Sequence, residues 1–153
     1  MEPPRKEVAV RNLLVGAGAY YLSWWVAYPL EFGFGKLTEG ITYTGNFAGA
    51  VLMPIVTSLP VALIAAVVGA SVVWLVHSET PLRWAIFPAA LYAFYASIGH
   101  HWARPPMLID RVAQVVTPIL LALSCLGGAI VAARKRAAPR SAQITPDWWD
   151  YGK

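Results

Sequence analysis

Four long apolar stretches, at 12–30, 47–76, 82–98 and 112–133, alternate with short polar segments, and Arg83, at the start of the third, is the sole Asp, Glu, Lys, Arg or His within them. A bilayer core about 30 Å thick takes roughly 20 helical residues to cross. Each stretch is therefore predicted as a transmembrane helix, and the chain as an all-α, four-helix integral membrane protein. The domain plan is a basic arm at 1–11, a membrane domain at 12–133 and a basic, aromatic tail at 134–153. A signal peptide also starts with a basic arm, but its apolar part is shorter and ends in small residues. Tyr20, Tyr21, Trp24, Trp25 and Tyr28 fill the second half of the first stretch instead, which predicts a retained helix.

The connections differ in character. Glycines punctuate 31–46, which is expected as a flexible link, while 77–83 is a tight polar turn whose Ser78, Glu79, Thr80 and Pro81 suit a helix start. The second stretch is overlong at about 45 Å if helical. Pro54 and Pro60 lie inside it, and each removes a backbone donor, so a kink or short unwound segment is expected there. Thr57 and Ser58 are the residues placed to satisfy the freed carbonyls.

Hydrophobic residues make up 58% of the 153 and charged residues 13%, leaving no room for a separate folded soluble domain. The net charge of +4 and the pI near 9.4 do not indicate a nucleic-acid partner, because the basic residues flank apolar stretches. Arg5, Lys6, Arg11, Arg83, Arg134, Lys135, Arg136, Arg140 and Lys153 fall on one side of four crossings, and Lys36, Arg104 and Arg111 on the other. Nine against three places both termini in the cytoplasm and the protein, multi-pass, in a cell or inner membrane. Cys125, alone in the chain, is expected as a small packing residue. Small residues at spacings of four mark two seams for helix packing: Ala62, Ala66 and Ala70 with Ala65 and Gly69, and Ser124, Gly128 and Ala132.

Candidate chemistry gathers at the non-cytoplasmic side. Tyr20, Trp24, Trp25 and Tyr28 on the first helix and Tyr92 and Tyr95 on the third share that half with Glu31, His100, His101, Trp102 and Arg104. These rings form either an interfacial aromatic belt or the walls of a site for a quinone, a lipid or a pigment. No particular cofactor is specified. Adjacent helical histidines point about 100° apart, and no Cys pair or HExxH accompanies them, so no metal site is expected. Gly16-Ala17-Gly18 lies in an apolar helix without a following Lys-Ser/Thr and is a packing notch rather than a phosphate loop. Ser23, Ser97 and Ser124 have no base at helical spacing, so no catalytic residue is assigned. Pumps and ion-coupled transporters place titratable groups at membrane depth, which counts against active transport here.

Gly33-Phe34-Gly35-Lys36-Leu37 after the first helix looks like the Gly-Lys-Leu ending of small four-helix membrane proteins of the DoxX type. The likeness covers five residues, the distance back to Arg11 is longer than that pattern, and no membership follows from it. The function expected is that of an accessory or scaffold subunit, packing and positioning other membrane subunits, lipids or cofactors within the bilayer. Trp148, Trp149 and Tyr151 in the tail are its expected partner contacts. The alternative is a membrane enzyme or carrier with a hydrophobic ligand in the aromatic layer.

Overall fold

A computed structural model of the chain describes residues 5–38, 47–76, 80–99 and 108–142. The described residues form four α-helices: α1 Arg5–Thr38, α2 Phe47–Leu75, α3 Pro81–Gly99 and α4 Leu108–Ala142. Two of them, α2 and α4, are long and apolar enough to cross a membrane, over Val51–Leu75 and Arg111–Ala137. α1 and α3 contain equally charge-free segments but fill them with Tyr, Trp, Gly and Pro, which lowers their hydropathy.

Helix ends do not coincide with the ends of the apolar stretches. α1 begins in the charged arm and runs through Pro29 to Thr38, so the first part of the expected flexible link, 31–38, is helical. α4 likewise continues through 134–142 into the expected tail. Arg, Lys and Ala are strong helix formers, so charge at 134–138 marks the end of the apolar face without ending the helix. α3 starts as expected, with Pro81 in its first turn.

The expected break in α2 is absent: the helix is continuous through Pro54 and Pro60. The carbonyls deprived of a donor by those prolines belong to Ala50 and Val56. Thr57 and Ser58 do not serve them. The Thr57 hydroxyl donates to the carbonyls of Met53 (2.8 Å) and Pro54 (3.3 Å), and the Ser58 hydroxyl meets that of Thr117 on α4 at 3.3 Å.

α2 packs most extensively on α4, α3 touches both, and α1 lies on α2 and α3 without contacting α4 among the described residues. The two small-residue seams meet each other. A Cβ placed on Gly69 would overlap the backbone carbonyl of Cys125, and one on Gly128 would overlap that of Ala66. Backbone therefore lies against backbone at this crossing, as small residues permit between packed helices. The buried residues around it are small: Ala62, Ala65, Ala85, Ala129 and Ala132, with Cys125 facing the Ala85 carbonyl at 4.0 Å. Large apolar side chains point outward instead, on every helix: Leu14 and Leu22 on α1, Leu63 and Val67 on α2, Ile86 and Phe94 on α3, Ile119 and Leu123 on α4.

The far end of α2 is held by a cation. Arg136, half-buried on α4, donates from one guanidinium nitrogen to the carbonyls of Val73 (2.7 Å) in the last turn of α2 and of Val76 (3.1 Å) just after it. Those carbonyls belong to the set that a helix C-terminus leaves without backbone donors, and the positive charge also suits the negative end of the helix dipole. Arg134 and Lys135 are exposed, whereas Arg136 is turned inward to α2.

Candidate functional site

The buried stripe of α1 is Asn12, Gly16, Tyr20, Ser23 and Ala27, at the three- and four-residue spacing of one helix face. Gly16 rests against Phe87 and Pro88 of α3. One turn further along, Tyr20 stands edge-on to the fully buried Tyr92 of α3, ring centres 4.8 Å apart. The Ser23 hydroxyl links the same two helices: it donates to the Tyr20 carbonyl (2.6 Å) and, with its own proton so committed, accepts a hydrogen bond from the Tyr92 hydroxyl (2.5 Å). Ser23 thus pins the ring pair.

Trp24 and Tyr95 complete the cluster. Centroids of Tyr20, Trp24 and Tyr95 lie 5.9–6.1 Å from one another, and Trp24 is 6.3 Å from Tyr92. Aromatic rings at such separations attract one another beyond their burial, so these four act as one body between α1 and α3. Two polar atoms inside it have no hydrogen-bond partner, the Tyr20 hydroxyl and the Trp24 indole nitrogen. They are neighbours, but not at a geometry that satisfies either. The remaining buried unpaired side-chain atoms among the described residues are Asn12 Nδ2 on α1 and Trp84 Nε1 on α3. All four lie on the α1 and α3 side of the bundle, in contrast to the closed crossing of α2 and α4.

The helical stripe Tyr20, Trp24, Tyr28 is divided by the fold. Tyr20 and Trp24 turn toward α3, while Tyr28 (70% exposed) and Trp25 (72%) face outward with Tyr21. Tyr21, Trp24, Trp25, Tyr28 and Pro29 line a shallow groove of about 470 Å³ along the outer side of α1. Six of the expected ligand residues are therefore placed: Tyr20, Trp24, Tyr92 and Tyr95 together in the cluster, Trp25 and Tyr28 on the groove beside it. Glu31 lies on the helical extension of α1. His100, His101, Trp102 and Arg104, and the tail residues Trp148, Trp149 and Tyr151, lie outside the described residues.

Ser23 was not expected in this layer. Ser23 follows Tyr20 by three and precedes Ala27 by four, a spacing that places it on the inward face; its partner Tyr92 is 69 positions away and leaves no local signal. No group of three or more His, Cys, Asp or Glu side chains suited to a metal occurs among the described residues. No protein-family model matches the chain, and no curated protein or solved structure matches it. The five-residue likeness at Gly33–Leu37 is thus not accompanied by a family match.

Proposed function

We propose that this chain is a four-span integral membrane protein, both ends cytoplasmic, serving as an accessory subunit that positions the other members of a membrane assembly. Four spans are favoured by the outward apolar side chains on α1 and α3, which resemble those of α2 and α4. In water such a surface, continuous around the bundle, would aggregate; in lipid it is the expected exterior.

The observation that carries the accessory role is the helical projection of α4. It continues for about 13 Å past Ala133, where the charge-free stretch ends, over 134–142. Exposed Arg134 and Lys135 lie on that projection, and the aromatic tail follows directly. The N-terminal part of α1, with exposed Lys6 and Arg11, extends on the same proposed side. Two separate projections, on helices that do not touch each other, suit contact with a neighbouring subunit better than they suit enclosure of a substrate.

Deletion of 144–153 is expected to leave membrane insertion intact and to lower severalfold the amount of partner subunit that co-purifies in mild detergent. Unchanged recovery of the same partners would remove the docking role. Topology is tested separately. A reporter fused after Lys153 should be active in cytoplasmic form only, and one inserted at Thr42 in the opposite form only; the reverse pair of signals would invert the orientation.

A further inference from the structure

The outward face of α1 has a second groove, near the start of the helix, and this one is charged. Lys6, Glu7, Val10, Arg11 and Leu14 line about 370 Å³ there, and all five are exposed. Lys6 and Arg11, five positions apart, stand about 140° apart around the helix, with Val10 and Leu14 between them and Glu7 beside Arg11. The groove thus has an apolar floor and charged walls. Glu7 and Arg11 are one turn apart, yet among the described residues they form no ion pair with each other. Beyond Leu14 the same exposed face continues through Gly18, where a Cβ would meet nothing within 4 Å, to Tyr21.

Depth selects the kind of molecule, on the four-span placement proposed above. Arg11 is the last charge before the apolar stretch and so marks the cytoplasmic edge of the hydrocarbon. Lys6 and Glu7 lie about 6–8 Å further out, at the level of headgroups. A molecule seated across that edge must be polar outside and apolar inside, as a phospholipid is. The furrow from Val10 to Tyr21 is about 16 Å long, close to half of a core about 30 Å thick, which matches one acyl chain of one leaflet. Charge then selects the headgroup. Lys6 and Arg11 suit a phosphate, whereas the Glu7 carboxylate repels a second anion and calls for a cationic donor. Glu7 lies about 6 Å further from the core than Arg11. Amine follows phosphate in that same order on an aminophospholipid, while choline has no N–H to donate.

We propose that this groove holds one aminophospholipid of the cytoplasmic leaflet, its phosphate between Lys6 and Arg11, its primary ammonium on Glu7 and one acyl chain along Val10, Leu14 and Gly18. Held there, the lipid forms part of the surface offered to a neighbouring subunit.

The test extracts the full chain in mild detergent and reads retained lipid and oligomeric state together by native mass spectrometry. Dioleoyl phosphatidylethanolamine, phosphatidylglycerol and phosphatidylcholine are offered in equal amounts. The amine lipid is expected to be retained about fivefold over the choline lipid and about threefold over the glycerol lipid. Glu7→Gln should bring both ratios close to one, and Lys6→Gln combined with Arg11→Gln should lower retention of all three about tenfold. Arg134→Gln combined with Lys135→Gln removes the same charge from exposed positions on α4 and should leave retention within twofold. Gly18→Leu fills the open notch and should weaken retention severalfold; helix content by circular dichroism is measured for each variant. Equal retention of the three lipids, or unchanged ratios in Glu7→Gln with native helix content, overturns the site. Displacement of the lipid by an equal concentration of soluble phosphoethanolamine would assign the groove to a free phosphate ester and overturn it. A dimer that Gly18→Leu abolishes, with no lipid preference, would assign the face to a second copy and also overturn it. A chain that stays in solution without detergent removes the membrane placement itself, while a detergent-extracted chain that retains the three lipids equally removes only the site.

Discussion

Gly69→Ala and Gly128→Ala are each expected to destabilise the bundle by about 3 kcal/mol, the upper part of the usual range for overpacking. Adding a methyl is normally a small change, and in a helix interior Ala is preferred over Gly by about 0.5–1 kcal/mol. Here the new Cβ would meet a rigid backbone carbonyl, of Cys125 in one case and Ala66 in the other, with no flexible side chain to move aside. The helices must separate, and every small residue along the crossing loses contact. Gly127 gives an internal comparison: it adjoins Gly128, and a Cβ there meets nothing within 4 Å. Gly127→Ala should be neutral or slightly stabilising. Unfolding of the three variants in mixed detergent micelles measures the difference, and equal midpoints for the variants at 127 and 128 would show that the backbones are not in contact.

Arg136→Gln is expected to cost about 2–3 kcal/mol, close to the whole value of a charge-assisted hydrogen bond and the desolvated carbonyls left behind. Two carbonyls at the end of α2 lose their donor at once. Arg134→Gln, on the exposed side, should fall within about 0.5 kcal/mol of the parent. The proposed orientation should survive both changes, since removing one of nine basic residues still leaves eight against three. A midpoint that falls equally for the two variants would mean that the basic cluster acts only as a diffuse charge at the headgroups.

Helix number and order were legible because charge-free runs of this length have few alternatives to helix. Their ends were not, because charge reports where apolar surroundings stop, and Arg, Lys and Ala at 134–138 prolong a helix as readily as Leu or Val. The small-residue seams were visible as spacings of four, but the register between them depends on crossing geometry. Gly69 meets Cys125 and Gly128 meets Ala66, pairings that no local pattern encodes. The aromatic layer was found as a group and not as a division. Tyr20, Trp24 and Tyr28 share a stripe on paper, yet the stripe is wider than the interface with α3, so its last member turns outward. Arg136 was grouped with its exposed neighbours because capping by a distant helix, 60 and 63 positions away, has no sequence signature.

The lack of contact between α1 and α4 among the described residues bears on how such a bundle is made. α2 and α4 have the hydropathy to enter a bilayer unaided, yet α4 is the last helix to leave the ribosome, with α3 between them. On the four-span arrangement proposed above, α1 and α3 must therefore be retained while α4, the main packing partner of α2, is still missing. Their aromatic contact, Tyr20 on Tyr92 with Ser23 between, is a joint that can form before α4 arrives, together with the packing of α2 on both. Arrival of α4 then closes the assembly from the opposite side, sealing α2 by its glycines and fastening its end with Arg136.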